Sequence, residues 1–181
     1  MKKAWYSIIA VAFLLPLSAS AADSAAVLDA KVADAIAVFK QEVNGGDVFL
    51  RQAAGYLVFP RVIKVGIGVG AETGEGALRV AGRNAAYYRT TSGSFGLQLG
   101  AQAKSIVIAF MTKESLAAFR ASSGWQVGID GSVALIDLGA GKQINTKNIK
   151  DPVVGSIFGA KGLMYNLTLE GTKISRVQKD R

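Results

Sequence analysis

Apolar and polar positions along this chain follow two periods. From Val65 to Gly70 apolar side chains alternate with glycine: Val65, Ile67 and Val69 on one face, Gly66, Gly68 and Gly70 on the other. A two-residue period predicts a strand. Glycine packs nothing in a strand interior, so a glycine face predicts a bend or a close backbone approach. The stretch Gly55–Val80, GYLVFPRVIKVGIGVGAETGEGALRV, reads as the centre of the fold, with AETGEG as the turn of a hairpin into Ala77–Val80. Further strands are expected at 85–90, with a turn at 91–93, and at 94–103, where Phe95, Leu97 and Leu99 alternate with Gly96, Gln98 and Gly100. Residues 105–111 (SIVIAFM) form a near-continuous apolar run, which predicts a strand buried on both faces. Alternation returns at 124–135, with Trp125, Val127 and Ile129 on one face, and strands are expected at 153–158, 162–169 and 173–177.

Helical spacing appears earlier. Leu28, Val32, Ile36, Phe39 and Val43 recur every three or four residues behind Asp23 and Ser24, either of which can cap a helix that Asn44-Gly45-Gly46 stops. Charges of both signs share its other surface, as on a core-facing helix. A membrane-lying helix would carry a lysine-rich face. Asp47 is placed to cap a short helix to about Ala54, and Thr112 another over Lys113–Ala121 with Leu116 and Phe119 inward. Residues 139–151 read as a loop and the tail 178–181 as frayed. The fold class expected is α+β: N-terminal helices packed on a strongly bent, barrel-like antiparallel β-sheet with one inserted helix.

Composition narrows the chemistry. Among 181 residues there is no cysteine and no histidine, which removes disulfides, thiolate sites, and the commonest general base and metal ligand. The formal net charge of +8 suits an anionic partner. Residues 1–21 have the parts of a secretory signal: Lys2 and Lys3, the apolar centre Ile8–Leu17, and Ala19-Ser20-Ala21 before the cut. That centre is shorter than the roughly 20 residues a membrane span needs. Residues 22–181 then form one domain, expected in the periplasm with peripheral membrane association.

Enzymatic signatures are weak. Gly66–Ala71 satisfies a dinucleotide-binding pattern in letters, yet it lies in a strand and opens no helix. No nucleophile elbow or S-x-x-K dyad occurs. The acids Glu72 with Glu75, or Asp130 with Asp137, read more simply as turn or strand-edge residues than as a hydrolytic pair. No cofactor is expected. A nucleic-acid surface at Arg83, Tyr87, Tyr88 and Arg89 is disfavoured by secretion and because adjacent tyrosines on a strand face opposite ways. Basic residues beside aromatics remain: Arg61 and Lys64 near Tyr56 and Phe59, and Lys161 after a glycine turn, a grouping an anionic bilayer attracts.

The order of segments resembles the SYLF lipid-binding family. The matching stretches are 55–80, 94–119 (SFGLQLGAQAKSIVIAFMTKESLAAF), 131–135 (GSVAL) and 160–171 (AKGLMYNLTLEG). The resemblance implies a non-enzymatic lipid-binding module that recognises anionic head groups through basic residues, carried over here to Arg61, Lys64 and Lys161. Tyr56 and Phe59 would add interfacial contact if exposed. The phosphoinositide and actin associations of eukaryotic members are not carried over; phosphatidylglycerol or cardiolipin take the place of the former in an exported bacterial protein. The competing reading is a structural or stress-related cell-envelope protein that binds a protein or cell-wall partner.

Overall fold

The computed structural model describes residues 23–136, 149–161, 169 and 171–180. The secretory segment expected at 1–21, most of the loop expected at 139–151 and most of the strand expected at 162–169 lie outside the described residues. Helix α1 spans Ala25–Glu42 and α2 Gly46–Gln52. Strand β1 spans Gly55–Val80 and β2 Arg83–Phe110, followed by α3 (Lys113–Ala121). The short strands β3 (Gly124–Gln126) and β4 (Ala134–Ile136) precede β5 (Val153–Lys161) and β6 (Lys173–Val177).

The expected α+β architecture with a curled sheet is what forms, and the central ribbon is longer than its turn-like sequences suggest. AETGEG and Thr91–Gly93 make no turns: they pair with each other, Thr73 opposite Thr91, within one continuous antiparallel β1–β2 ribbon. The actual hairpin turn is Ala81-Gly82, both at positive φ (49° and 76°), the backbone of a tight two-residue turn. The sheet runs β3-β6-β2-β5-β4, with β1 on β2. Its first arm, at 87–91, carries β6, and its second arm, at 103–110, carries β5. The sheet is mixed and not wholly antiparallel, because β4 runs parallel to β5.

Glycine lets the ribbon fold back on itself. A Cβ on Gly66 would lie 2.4 Å from the Gly70 Cα, one on Gly74 2.6 Å from the Arg61 carbonyl oxygen, and one on Gly76 2.2 Å from that of Val58. The two arms of β1 therefore approach closer than any side chain permits. The bend and close approach expected from the glycine face are both present.

Alternate residues of the ribbon feed two cores. Val58, Ala77, Tyr87, Val107 and Ala109 meet Leu28, Val32, Phe39 and Phe49 of α1 and α2. Leu57, Phe59, Leu78, Tyr88, Ile106, Ile108 and Phe110 meet Leu116 and Phe119 of α3 together with Trp125. The run 106–110 is apolar throughout because both of its faces are covered. Ser24 caps α1, accepting from the Val27 N–H, and Thr112 caps α3, accepting from the Ser115 N–H at 3.1 Å. Asp47 does not cap α2; Gly45 does, at φ 84° and with no side-chain bond. Alternation ends early in β3: Trp125 and Val127 are buried, whereas Ile129 is exposed in the turn that follows.

The tail is held over its described length. Lys179 bonds the Asp23 carbonyl oxygen and the Glu75 carboxylate, fastening the C-terminal segment to the start of α1 and to β1. Its side chain is buried, so the fraying expected from sequence does not extend to it.

Candidate functional site

The expected site residues lie in the first arm of β1, where a bulge between Phe59 and Val62 resets the alternation. Phe59 and Val62 both enter the α3 core, so Pro60 and Arg61 form the irregularity between them. Phe59 is fully buried and does not meet the exposure on which its interfacial role depended. Tyr56 is half-buried against the helix-covered core. Arg61 is exposed. Lys64 sits directly opposite Gln102, on the side of the ribbon that carries Val62 and Lys104. The strand thus places Arg61 and Lys64 apart, although they are three apart in sequence. Lys161 ends β5, its backbone opposite Ala103; its side chain lies outside what is described.

The two faces of β2 show what surrounds them. On the inner row Gln102, Lys104, Ile106, Ile108 and Phe110 are all buried. On the outer row burial fades with distance from the helices: Ala109 and Val107 are buried, Ser105 and Ala103 intermediate, Ala101 exposed. Opposite that fading row β1 presents Ile63 and Val65, and beyond the bend Val69, at 38%, 51% and 61% exposure. Polarity is therefore inverted at the bend. Its outer surface is aliphatic, with Arg61 at the rim, and its inner surface holds charge. Lys104 Nζ lies 3.0 Å from Glu72 Oε1, and both side chains are nearly inaccessible. The pair ties the second arm of β2 to the far arm of β1.

A soluble sheet ordinarily places its charges outward, and the magnitudes show what the inversion favours. Full burial of a valine or isoleucine side chain is worth about 1.5–3 kcal/mol. These three are roughly half exposed already, so an apolar partner gains about 1 kcal/mol from each, or about 3 together. One arginine near an anionic membrane adds about 1 kcal/mol. Apolar contact therefore outweighs charge here.

A second polar cluster lies at the chain ends. Glu75 Oε1 accepts from Arg89 at 2.7 Å and Oε2 from Lys179, beside a cleft of about 300 Å³ lined by Asp23, Ser24, Val177 and Asp180 among others. Partial burial opposes ionisation of Glu75, but the hydrogen bonds and charges of Lys179 and Arg89 outweigh it and hold the carboxyl below its usual range. Glu72 and Glu75, the acids that could have formed a carboxylate pair, are each neutralised by cations and serve as ties within the sheet. Tyr87 and Tyr88 enter opposite cores and form no stacking platform. Burial raises the Tyr88 hydroxyl above its ordinary value, against the opposing charges of Arg176 and Arg120. Asp29 of α1 accepts from Asn84 at 2.6 Å and from the Tyr87 hydroxyl at 2.9 Å, locking the helix to the ribbon.

The exposed aliphatic row could have been found in the sequence. Val65 and Val69 were legible as one face of an alternating strand, but which face water meets depends on where α1 stops. The Glu72–Lys104 contact joins residues of separate arms and has no local signal.

Residues 91–180 match the family Ysc84, described as "Las17-binding protein actin regulator". This stretch of the chain is similar to that family of SYLF binding domains. The match starts within β2 and includes Lys104 and Lys161, while α1, α2 and β1, with Arg61 and Lys64, precede it. No curated protein matches the chain.

Proposed function

We propose that this protein is a non-catalytic module that binds anionic phospholipid at the periplasmic surface of a membrane. The observation that carries the reading is the inverted bend: an uncovered aliphatic row of Ile63, Val65 and Val69 with Arg61 beside it, over an interior that holds its charges in a buried pair. Exposed apolar surface rimmed by a cation marks an interaction site. A bilayer offers such a row both hydrocarbon and negative charge. The formal net charge, +8 for the whole sequence and +6 without Lys2 and Lys3 of the secretory segment, supports approach to an anionic surface. The match of residues 91–180 to a family of binding domains supports binding as the activity. Among the described residues no helix is long and apolar enough to cross a membrane.

The test is co-sedimentation of the protein with phosphatidylcholine vesicles and with vesicles containing phosphatidylglycerol or cardiolipin. Preferential capture by the anionic vesicles, weakened in Arg61→Glu and abolished in Val65→Asp/Val69→Asp, is the expected result. Failure of every vesicle type to capture the protein would end the reading and turn attention to a protein or cell-wall partner in the envelope.

A further inference from the structure

Among the described side chains, the outer face of the bend carries little charge for its apolar extent, and that imbalance selects among bilayers. Two of the described cations near it are turned away. Lys104 is neutralised by Glu72 inside the fold, and Lys64 lies on the inner side opposite Gln102. Arg61 stands exposed at the rim. The described side chains of the face are short aliphatics, Ile63, Val65 and Val69, backed across the ribbon by Ala101 and Ala103. The face is also shaped in advance. Gly66 against Gly70 and Gly74 against the Arg61 carbonyl close the inner side of the bend, which leaves the outer side convex.

We propose that the bend is a lipid-packing sensor, whose aliphatic row enters gaps between head groups and so favours strongly curved or loosely packed bilayers over flat ones. The proposal rests on the membrane-surface reading above and adds the kind of bilayer. A surface with moderate apolar area and sparse charge binds where gaps already exist, because neither attraction alone opens a well-packed head-group layer; such binding is sensitive to curvature and lipid composition.

The experiment is flotation of the protein with phosphatidylethanolamine–phosphatidylglycerol vesicles of one composition. Small sonicated and large extruded vesicles are compared at equal accessible lipid, in low and high salt. The expected result is at least about tenfold greater partition to the small vesicles, little changed by salt, lost in Val65→Ser/Val69→Ser and largely kept in Arg61→Gln. Far-ultraviolet circular dichroism confirms that the variants, changed at exposed positions, remain folded. Equal partition to both sizes would overturn the packing-sensor proposal and leave the membrane-surface reading standing, as would binding that high salt abolishes. Partition to neither size would end both.

Discussion

Replacing Lys104 by methionine removes one member of the buried pair and keeps most of the side-chain volume. The ammonium lies 3.0 Å from Glu72, with side-chain exposures of 4% and 8%. At that separation the attraction is about 5–6 kcal/mol for an effective dielectric constant near 20. Desolvation of the two ions costs several kcal/mol each, so the intact pair contributes close to nothing net. Its single removal is a different matter: Glu72 is then left without its cation in a nearly inaccessible site, at a cost of about 3–5 kcal/mol. That is a large share of the 5–15 kcal/mol typical of a folded domain. The double variant Glu72→Leu/Lys104→Met leaves no orphaned charge and is expected within about 1 kcal/mol of the natural protein. Urea unfolding at neutral pH of the parent, Lys104→Met, Glu72→Leu and the double variant, followed by tryptophan fluorescence and circular dichroism, gives the four corners of a double-mutant cycle. A Lys104→Met protein within about 0.5 kcal/mol of the parent would refute the argument, because it would mean that Glu72 is hydrated and the inner face of the bend is wet.

Further predictions come from the same ribbon. Gly76→Ala is expected to destabilise by more than about 3 kcal/mol or to prevent folding, since its Cβ would strike the Val58 carbonyl; Gly93→Ala, with nothing within 4 Å, is expected near neutral, and thermal melts of the two separate the cases. Ala81 at φ 49° occupies a conformation that costs a non-glycine residue about 1 kcal/mol, so Ala81→Gly should raise the melting temperature slightly. Glu75 is held below its ordinary value, so the folded state takes up its proton later than the unfolded chain as pH falls. Its stabilisation is present above the ordinary glutamate range and is lost as pH drops through the folded value. Glu75→Gln should therefore be less stable than the parent at neutral pH, and the gap should close in acid, as read by unfolding at a series of pH values.

Local signals located most of the helices and the chemistry of the bend, while its surroundings were not legible. The spacing of Leu28, Val32 and Phe39 predicted α1, and the caps Ser24 and Thr112 stand where their side-chain oxygens meet free N–H groups. Gly66 announced a close approach, and Gly74 and Gly76 supplied two more inside a segment read as a turn. The glutamates and glycines of 72–76 have low strand preference, yet cross-strand pairing to 88–92 overrides it. Phe59 looked available beside Arg61 because the bulge that turns it inward depends on pairing with β2. Lys179 looked free because its partners, Asp23 and Glu75, are more than a hundred residues distant in the chain.

The natural chain contains no cysteine, so a single introduced thiol reports from one place. The most direct test of the proposal that the bend faces a membrane is Val65→Cys carrying an environment-sensitive fluorophore, compared with Lys113→Cys on α3. On addition of phosphatidylglycerol-containing vesicles the account predicts a blue shift and brightening at position 65 and an unchanged spectrum at position 113. An unchanged spectrum at 65 in protein that sediments with the vesicles would contradict it, because the chain would then be meeting the bilayer through another surface.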